Sequence, residues 1–267
     1  MAQLIKLQDY ISRYEIDIFH YPGQFIRLKQ ENWKKFNSMG ELQEAYISEE
    51  EKKQYYLDAL MPFQLKWASS TIREKSFLDY YYKSNPTLRY FLQRFPDTFL
   101  VMFQPIFLLK KAPVEGEIII ITPVEILCLT IIEFPEEVTI IAGDDRTWMQ
   151  EKDNVRTPFL SPMISLKRTD VIIRSILNRY SINFPVRKLV LSQTNEIQYQ
   201  TEPYQTKYIG KEAYPEWFKK IRTFKSPLKH MQLKASEALL MHCQTTSVKR
   251  SEWEEDDLDL SMDDDQN

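Results

Sequence analysis

Gly116-Glu117-Ile118-Ile119-Ile120-Ile121-Thr122-Pro123 is the stretch on which the fold turns. Its four consecutive isoleucines are β-branched and uninterrupted by glycine or proline, which favours a strand over a helix. The apolar segments around it read the same way, so strands are expected at residues 99–110, 117–122, 126–133 and 138–141. Turns fall at 112–116, 123–125, 135–137 and 143–145, each holding proline, glycine or aspartate for its backbone preference. Strands as apolar as Ile118 to Ile121 have no polar face, so something must cover each side of the sheet.

Helices before and after the meander are the natural covers. Leu4, Leu7, Tyr10, Ile11, Tyr14 and Ile18 recur at helical spacing and predict a helix over 4–19, broken by Tyr21-Pro22-Gly23 and resumed over 24–36. Ser48-Glu49-Glu50-Glu51 is a cap with acids in the first turn, opening a helix to about residue 60. Trp67, Thr71, Glu74, Phe77, Leu78 and Tyr81 then predict a helix from Lys66 that stops at Asn85-Pro86, followed by a short one over 87–94. After the sheet, 156–162 reads as an irregular connector and 165–180 as a helix with Leu166, Thr169, Ile172, Ile173, Ile176 and Leu177 on its apolar face. Residues 184–192 form one more strand, parallel to an existing one because a helix intervenes. The expected class is therefore α/β, a mixed central sheet flanked by helices, with an N-terminal helical extension.

Composition bounds the chemistry. The 267 residues are 43% hydrophobic and suffice for a substantial core. Five glycines form no phosphate-cradling loop, and two cysteines, Cys128 and Cys243, give neither a disulfide framework nor metal-ligand spacing. With no apolar run of signal or membrane-spanning length, a soluble protein of the cytoplasm is expected, with no membrane partner. The net charge of -3 hides a division: residues 251–267 hold nine acids and no base, leaving 35 basic against 29 acidic residues elsewhere. That tail reads as a disordered solubilising end, or as one that competes with polyanions for the basic stretch beside it.

The element order and four local patterns resemble the nuclease-related domain, usually called NERD, a branch of the restriction-endonuclease-like PD-(D/E)xK superfamily. Arg73-Glu74-Lys75 with Asp79-Tyr80-Tyr81 is similar to its Gly-Glu helix, and Glu115-Gly116-Glu117-Ile118 to Pro123 to its Glu-Ile-Asp strand ending in Ser-Pro. Gly143-Asp144-Asp145-Arg146-Thr147-Trp148 resembles its Gly to Trp turn, and Ser161-Pro162 its Asn-Pro start of a helix. The resemblance covers about residues 70–195 and implies a restriction-endonuclease-like core. It divides the chain into an N-terminal helical extension (1–65), the NERD-like domain (66–200), a basic aromatic segment (201–250) and the acidic tail (251–267).

Chemistry in that family needs an acid on one strand and a Glu-x-Lys pair on the next. Carboxylates on neighbouring strand ends hold magnesium, and the lysine orients or activates the attacking water. Registered on the family pattern, Glu117 takes the place of the metal-binding aspartate, while Thr130 and Ile132 occupy the places of the second acid and the lysine. Neither replaces a carboxylate or carries a proton near neutral pH. The resemblance thus implies a fold kept with its phosphodiester chemistry lost, a vestigial site at Glu74 and Glu117, no cofactor, and a non-catalytic binding or scaffold role. The alternatives are an active magnesium-dependent nuclease rearranged around Glu74, Glu117 and Glu133, and a protein-interaction module.

The partner hint lies near the carboxy terminus, where Tyr204, Tyr208, Tyr214, Trp217 and Phe218 interleave with Lys207, Lys211, Lys219, Lys220, Arg222 and Lys225. Such a mixture tracks a phosphate backbone and stacks bases of DNA or RNA. It equally describes an amphipathic segment that packs its aromatics inward and turns its lysines out. His20, His230 and His242 have no ligand spacing and are read as structural.

Overall fold

The computed structural model of the protein describes residues 1–40, 48–109 and 112–250, with backbone alone at 39 and 40. The chain begins with β1 (Gln3–Leu7), a 3-10 turn (Arg13–Glu15), α1 (Tyr21–Gly40) and α2 (Glu49–Trp67). Next come β2 (Glu74–Lys75), α3 (Tyr81–Ser84), α4 (Pro86–Arg94), β3 (Leu100–Phe103), β4 (Ile106–Leu109), β5 (Ala112–Glu115), β6 (Ile118–Ile121) and β7 (Ile126–Ile131). Strands β8 (Thr139–Ile141), β9 (Thr147–Lys152) and β10 (Val155–Leu160) lead into α5 (Met163–Arg179) and β11 (Val186–Leu191). The last elements are β12 (Ile197–Gln198), β13 (Thr206–Ile209), α6 (Tyr214–Arg222), α7 (His230–Leu240) and β14 (Val248–Lys249).

The central sheet is mixed, in the order β1-β3-β6-β7-β11-β13. Its middle is the antiparallel run β3, β6, β7, and the α5 crossover returns the chain to β11, parallel to β7. Ile119 and Ile121 face Cys128, Val190, the apolar stripe of α5 and Ala235, Ala238 and Leu239 of α7. Ile118 and Ile120 point the other way, with Leu127, Leu129 and the side chains of α2 and α4. Both faces are covered, and helices flank the sheet as its apolar strands demand.

The amino terminus departs from expectation. Residues 3–7 are a strand parallel to β3, because all five side chains are buried, which a helix with one solvent face does not allow. Gln64 of α2 closes the outer edge of this strand, accepting from the N–H of Leu4 and donating to the carbonyl of Ala2. The expected extension 1–65 thus supplies an edge strand of the sheet, and β13, from the segment after residue 200, forms its other edge.

Four further segments differ. The strand expected over 99–110 is interrupted at Gln104-Pro105, where Gln104 has φ of 48° and Pro105 lacks an N–H, giving β3 and β4. Residues 112–115, expected as a turn, pair with β4 as a hairpin. The strand at 138–141 belongs to a second sheet, β10-β9-β8-β12, and the connector at 156–162 is largely β10 of that sheet. The helix expected from Lys66 stops at Trp67. There Ser69 and Ser70 hydroxyls donate back to the carbonyls of Leu65 and Lys66 at 2.7 Å, and Thr71 ties to Glu74. Hydroxyls so placed offer the backbone an alternative to the helical ladder.

Residues 251–267, the acidic tail, and Lys110, the end of the first expected strand, lie outside the described residues. Among the described residues no helix is long and apolar enough to cross a membrane.

Candidate functional site

The carboxyl ends of β1, β3, β7, β11 and β13 lie at one end of the sheet with the start of β6. Glu117 stands there, half-buried, one residue before β6. Gly116 before it permits the approach of Phe107, whose ring carbon would lie 3.0 Å from an added Cβ. Since Ile118 pairs with Leu129, the next step of the antiparallel register puts Glu117 opposite Thr130. Side chains alternate, so Glu117, Thr130 and Ile132 share the face of Ile119 and Cys128. Sequence registration thus placed three residues that the fold does bring together.

Hydrogen bonds tie this end of the sheet to α5. The Glu117 N–H donates to Thr169 Oγ1 at 3.0 Å and Arg168 donates to the carbonyl of Glu115 at 3.1 Å, so α5 is tied to the start of β6. Ile132 packs against the core. The buried ammonium on this face is Lys188 of β11, opposite Cys128, held 3.8 Å from Asp170, which is also paired to Arg174 at 2.9 Å. Sequence reading missed this pair because a lysine within an apolar strand gives no sign of its partner.

The other carboxylates are engaged elsewhere. Glu74 sits on β2 rather than on a helix, opposite Lys249, and accepts from Ser247 Oγ at 3.2 Å. No hydrogen bond or ion pair joins it to Glu117 among the described residues. Glu133 points away from Thr130 and anchors the loop after β11, accepting from Ser192 Oγ, from Thr194 Oγ1 and from the N–H groups of Gln193 and Thr194. Asp144 accepts from the N–H of Arg146 and of Thr147, which holds its carboxyl below the usual range. Asp145 pairs with Lys167.

Among the described residues no group of three or more His, Cys, Asp or Glu is placed to hold a metal ion. A hard divalent ion needs several oxygen ligands, and the donor set at Glu117 is one carboxylate and a hydroxyl. Burial pushes both thiols up, Cys243 to about 12, so neither offers a thiolate near neutral pH.

The two other local patterns are well-formed structural devices. Gly143 is required where a Cβ would lie 2.3 Å from the carbonyl oxygen of Thr147, and Trp148 beyond it is fully buried against Phe159 and Tyr208. Ser161 Oγ accepts from the N–H of Met163 at the start of α5.

The basic aromatic segment is divided by its fold. On α6, Tyr214, Trp217 and Phe218 pack against Tyr90 and Phe95, and Tyr214 hydrogen-bonds Tyr90, so these rings face the core. Lys219, Lys220 and Arg222 are exposed on the same helix, as are Lys211 and Lys225 beside it. Lys207 is paired with Glu202 at 2.7 Å, which raises its pKa. Tyr208 is buried, while Tyr204 at the start of the segment is 86% exposed; a second group of exposed aromatics lies at the turn after β2, where Phe77 and Tyr80 are each 75% exposed and Tyr81 58%. Helical spacing places Phe77 and Tyr81 on the helix expected from Lys66, which the chain does not form there; the turn signal Asp79 is the available clue.

No family model matches the chain, and no solved structure does. One curated relative, an RNA 2',3'-cyclic phosphodiesterase of Geobacillus stearothermophilus, is 67% identical over 33 residues, which is 12% of this chain and 10% of that protein. The match spans about a tenth of that relative's length.

Proposed function

We propose that this chain is a restriction-endonuclease-like domain of the nuclease-related branch that has lost phosphodiester chemistry and acts as a non-catalytic binding or scaffold protein for nucleic acid. One observation carries the reading: Glu117 stands opposite Thr130 on adjoining strands, with Ile132 two residues further on the same face. An acid, a hydroxyl and a hydrocarbon occupy the seats that an acid, an acid and an ammonium take in a working site. The helix, three antiparallel strands, helix and parallel strand order supports the fold assignment. The short likeness to the Geobacillus protein carries no activity across, but its printed name puts RNA beside DNA among the ligands to test.

The test is a magnesium-dependent cleavage assay on labelled DNA and RNA with the Glu117→Ala variant as control. Both proteins are expected to leave the substrates intact. Degradation by the wild type that the variant lacks would instead establish a nuclease with a rearranged site. Retention on nucleic acid that weakens with salt is expected in parallel, and no retention at low ionic strength would leave the protein-interaction reading in its place.

A further inference from the structure

We propose that the turn carrying Phe77, Tyr80 and Tyr81, together with the cleft beside it, is the platform on which single-stranded nucleic acid binds. The inference rests on the nucleic-acid reading above and gives it a place. Large apolar side chains exposed singly are ordinary, but three exposed aromatic rings within five residues of one turn are not.

The rings stand on a built scaffold. Asp79 accepts from the N–H of Tyr81 at 2.8 Å, Tyr82 is buried edge-on against Tyr10 and Phe103, and Asn85 caps α4 through the N–H of Leu88 at 2.8 Å. Ser76 Oγ donates to the carbonyl of Thr246 and accepts from the N–H of Ile11, pinning the start of the turn to the segments that follow β1 and α7. The turn is therefore fixed from beneath while its outer rings meet solvent, so little ordering entropy is lost when a flat ligand stacks on them.

Charge identifies the occupant. Lys83 Nζ lies 5.4 Å from the centroid of the Tyr80 ring. Next to it opens a cleft of about 450 Å³ whose apolar wall is Leu65 and Leu78 and whose cations are Lys66, Lys83 and Arg89. Its acid, Asp58, is already paired with Arg89 at 3.3 Å, while Lys66 and Lys83 have no ion pair among the described residues. Arg73 and Lys75 lead into the same turn, both exposed. Aromatic faces for bases alongside a cationic track for phosphates are the two parts of a single-strand site. A duplex hides its base faces and would use only the charges.

The experiment is fluorescence anisotropy with labelled 15-nucleotide dT and rU strands, a duplex of equal length, and inorganic polyphosphate as a base-free polyanion. The Phe77→Ala/Tyr80→Ala/Tyr81→Ala variant is expected to bind the single strands at least about 30-fold more weakly than wild type, from stacking losses at two or three bases. Its affinity for polyphosphate and its thermal midpoint should be unchanged. The Lys66→Ala/Lys83→Ala variant should weaken all polyanions and reduce the salt slope by about 1.4. If wild type binds the strands and the triple variant binds them within twofold, the platform is wrong while nucleic-acid binding stands. If wild type binds no strand at low salt, both are wrong. If the triple variant loses polyphosphate equally, stacking is not its role and the platform is overturned.

Discussion

Two segments of this protein concentrate aromatic side chains beside basic ones and dispose of their rings in opposite ways. On α6, nine residues from Tyr214 to Arg222, the helical period sorts the mixture: Tyr214, Trp217 and Phe218 turn toward Tyr90 and Phe95 and Lys219, Lys220 and Arg222 toward solvent. In the turn from Phe77 to Lys83 the single inward ring is Tyr82, and Phe77, Tyr80 and Tyr81 remain outside. The lesson is that composition nominates a binding segment, but only the path of the backbone decides whether its rings serve the core or a ligand.

Substitutions in the two segments break or sharpen this contrast. The largest effect is expected from Phe218→Ala, which strips a half-buried ring from Tyr90 and Phe95 and should lower unfolding free energy in denaturant by about 2–3 kcal/mol. Phe77→Ala should change it by less than about 0.5 kcal/mol. Equal losses at the two positions would erase the distinction between core ring and exposed ring.

Carboxylates show the same division. Glu133 is consumed by the loop at 192–194, so Glu133→Ala should cost about 1–2 kcal/mol and raise hydrogen exchange at Gln193 and Thr194. A larger loss of nucleic-acid affinity than of stability would instead move Glu133 to a functional role.

A smaller effect is expected from pH. Burial raises the phenols of Tyr90 and Tyr214 above the ordinary value of 10.0. The native state holds these protons more tightly than the unfolded chain, so their contribution is complete below pH 10 and lost as pH rises beyond it. Tyr214→Phe should make the alkaline decline of stability shallower, read as the thermal midpoint between pH 9 and 11. An unchanged slope would mean that Tyr214 is not the buried phenol described.

Smallest of all, Lys219→Ala/Lys220→Ala on the outer face of α6 should leave stability within about 0.5 kcal/mol. Its single-strand affinity should fall far less than that of the Phe77, Tyr80 and Tyr81 variant. Parity between the two would return the binding face to α6.

The sheet was legible where burial is two-sided. Strands were expected at 117–122, 126–133 and 184–192, the last parallel to an existing strand because a helix intervenes; that its partner is β7 is shown by the structure. What remained hidden was tertiary. Leu4 and Leu7 are spaced as on a helix, yet the edge of β3 and the amide of Gln64 make residues 3–7 a strand. The helix expected past Trp67 fails on hydroxyl hydrogen bonds that helical periodicity does not register. Glu117, Thr130 and Ile132 were singled out by registration on the nuclease-related pattern, and the pairing of β6 with β7 puts them on one face of the sheet. The Asp170 and Lys188 pair, and the exposure of Phe77, Tyr80 and Tyr81, depend on which elements meet and were not.

The central claim is that this site lacks only the right side chains at two positions. Thr130→Glu with Ile132→Lys would restore a carboxylate opposite Glu117 and an ammonium two residues on. Titration calorimetry with magnesium and manganese measures the consequence directly. Wild type should give no heat of binding, and the double variant should bind one ion, with binding abolished by adding Glu117→Ala. A wild type that already binds the ion through Glu117, or a stably folded double variant that binds none, would contradict the account.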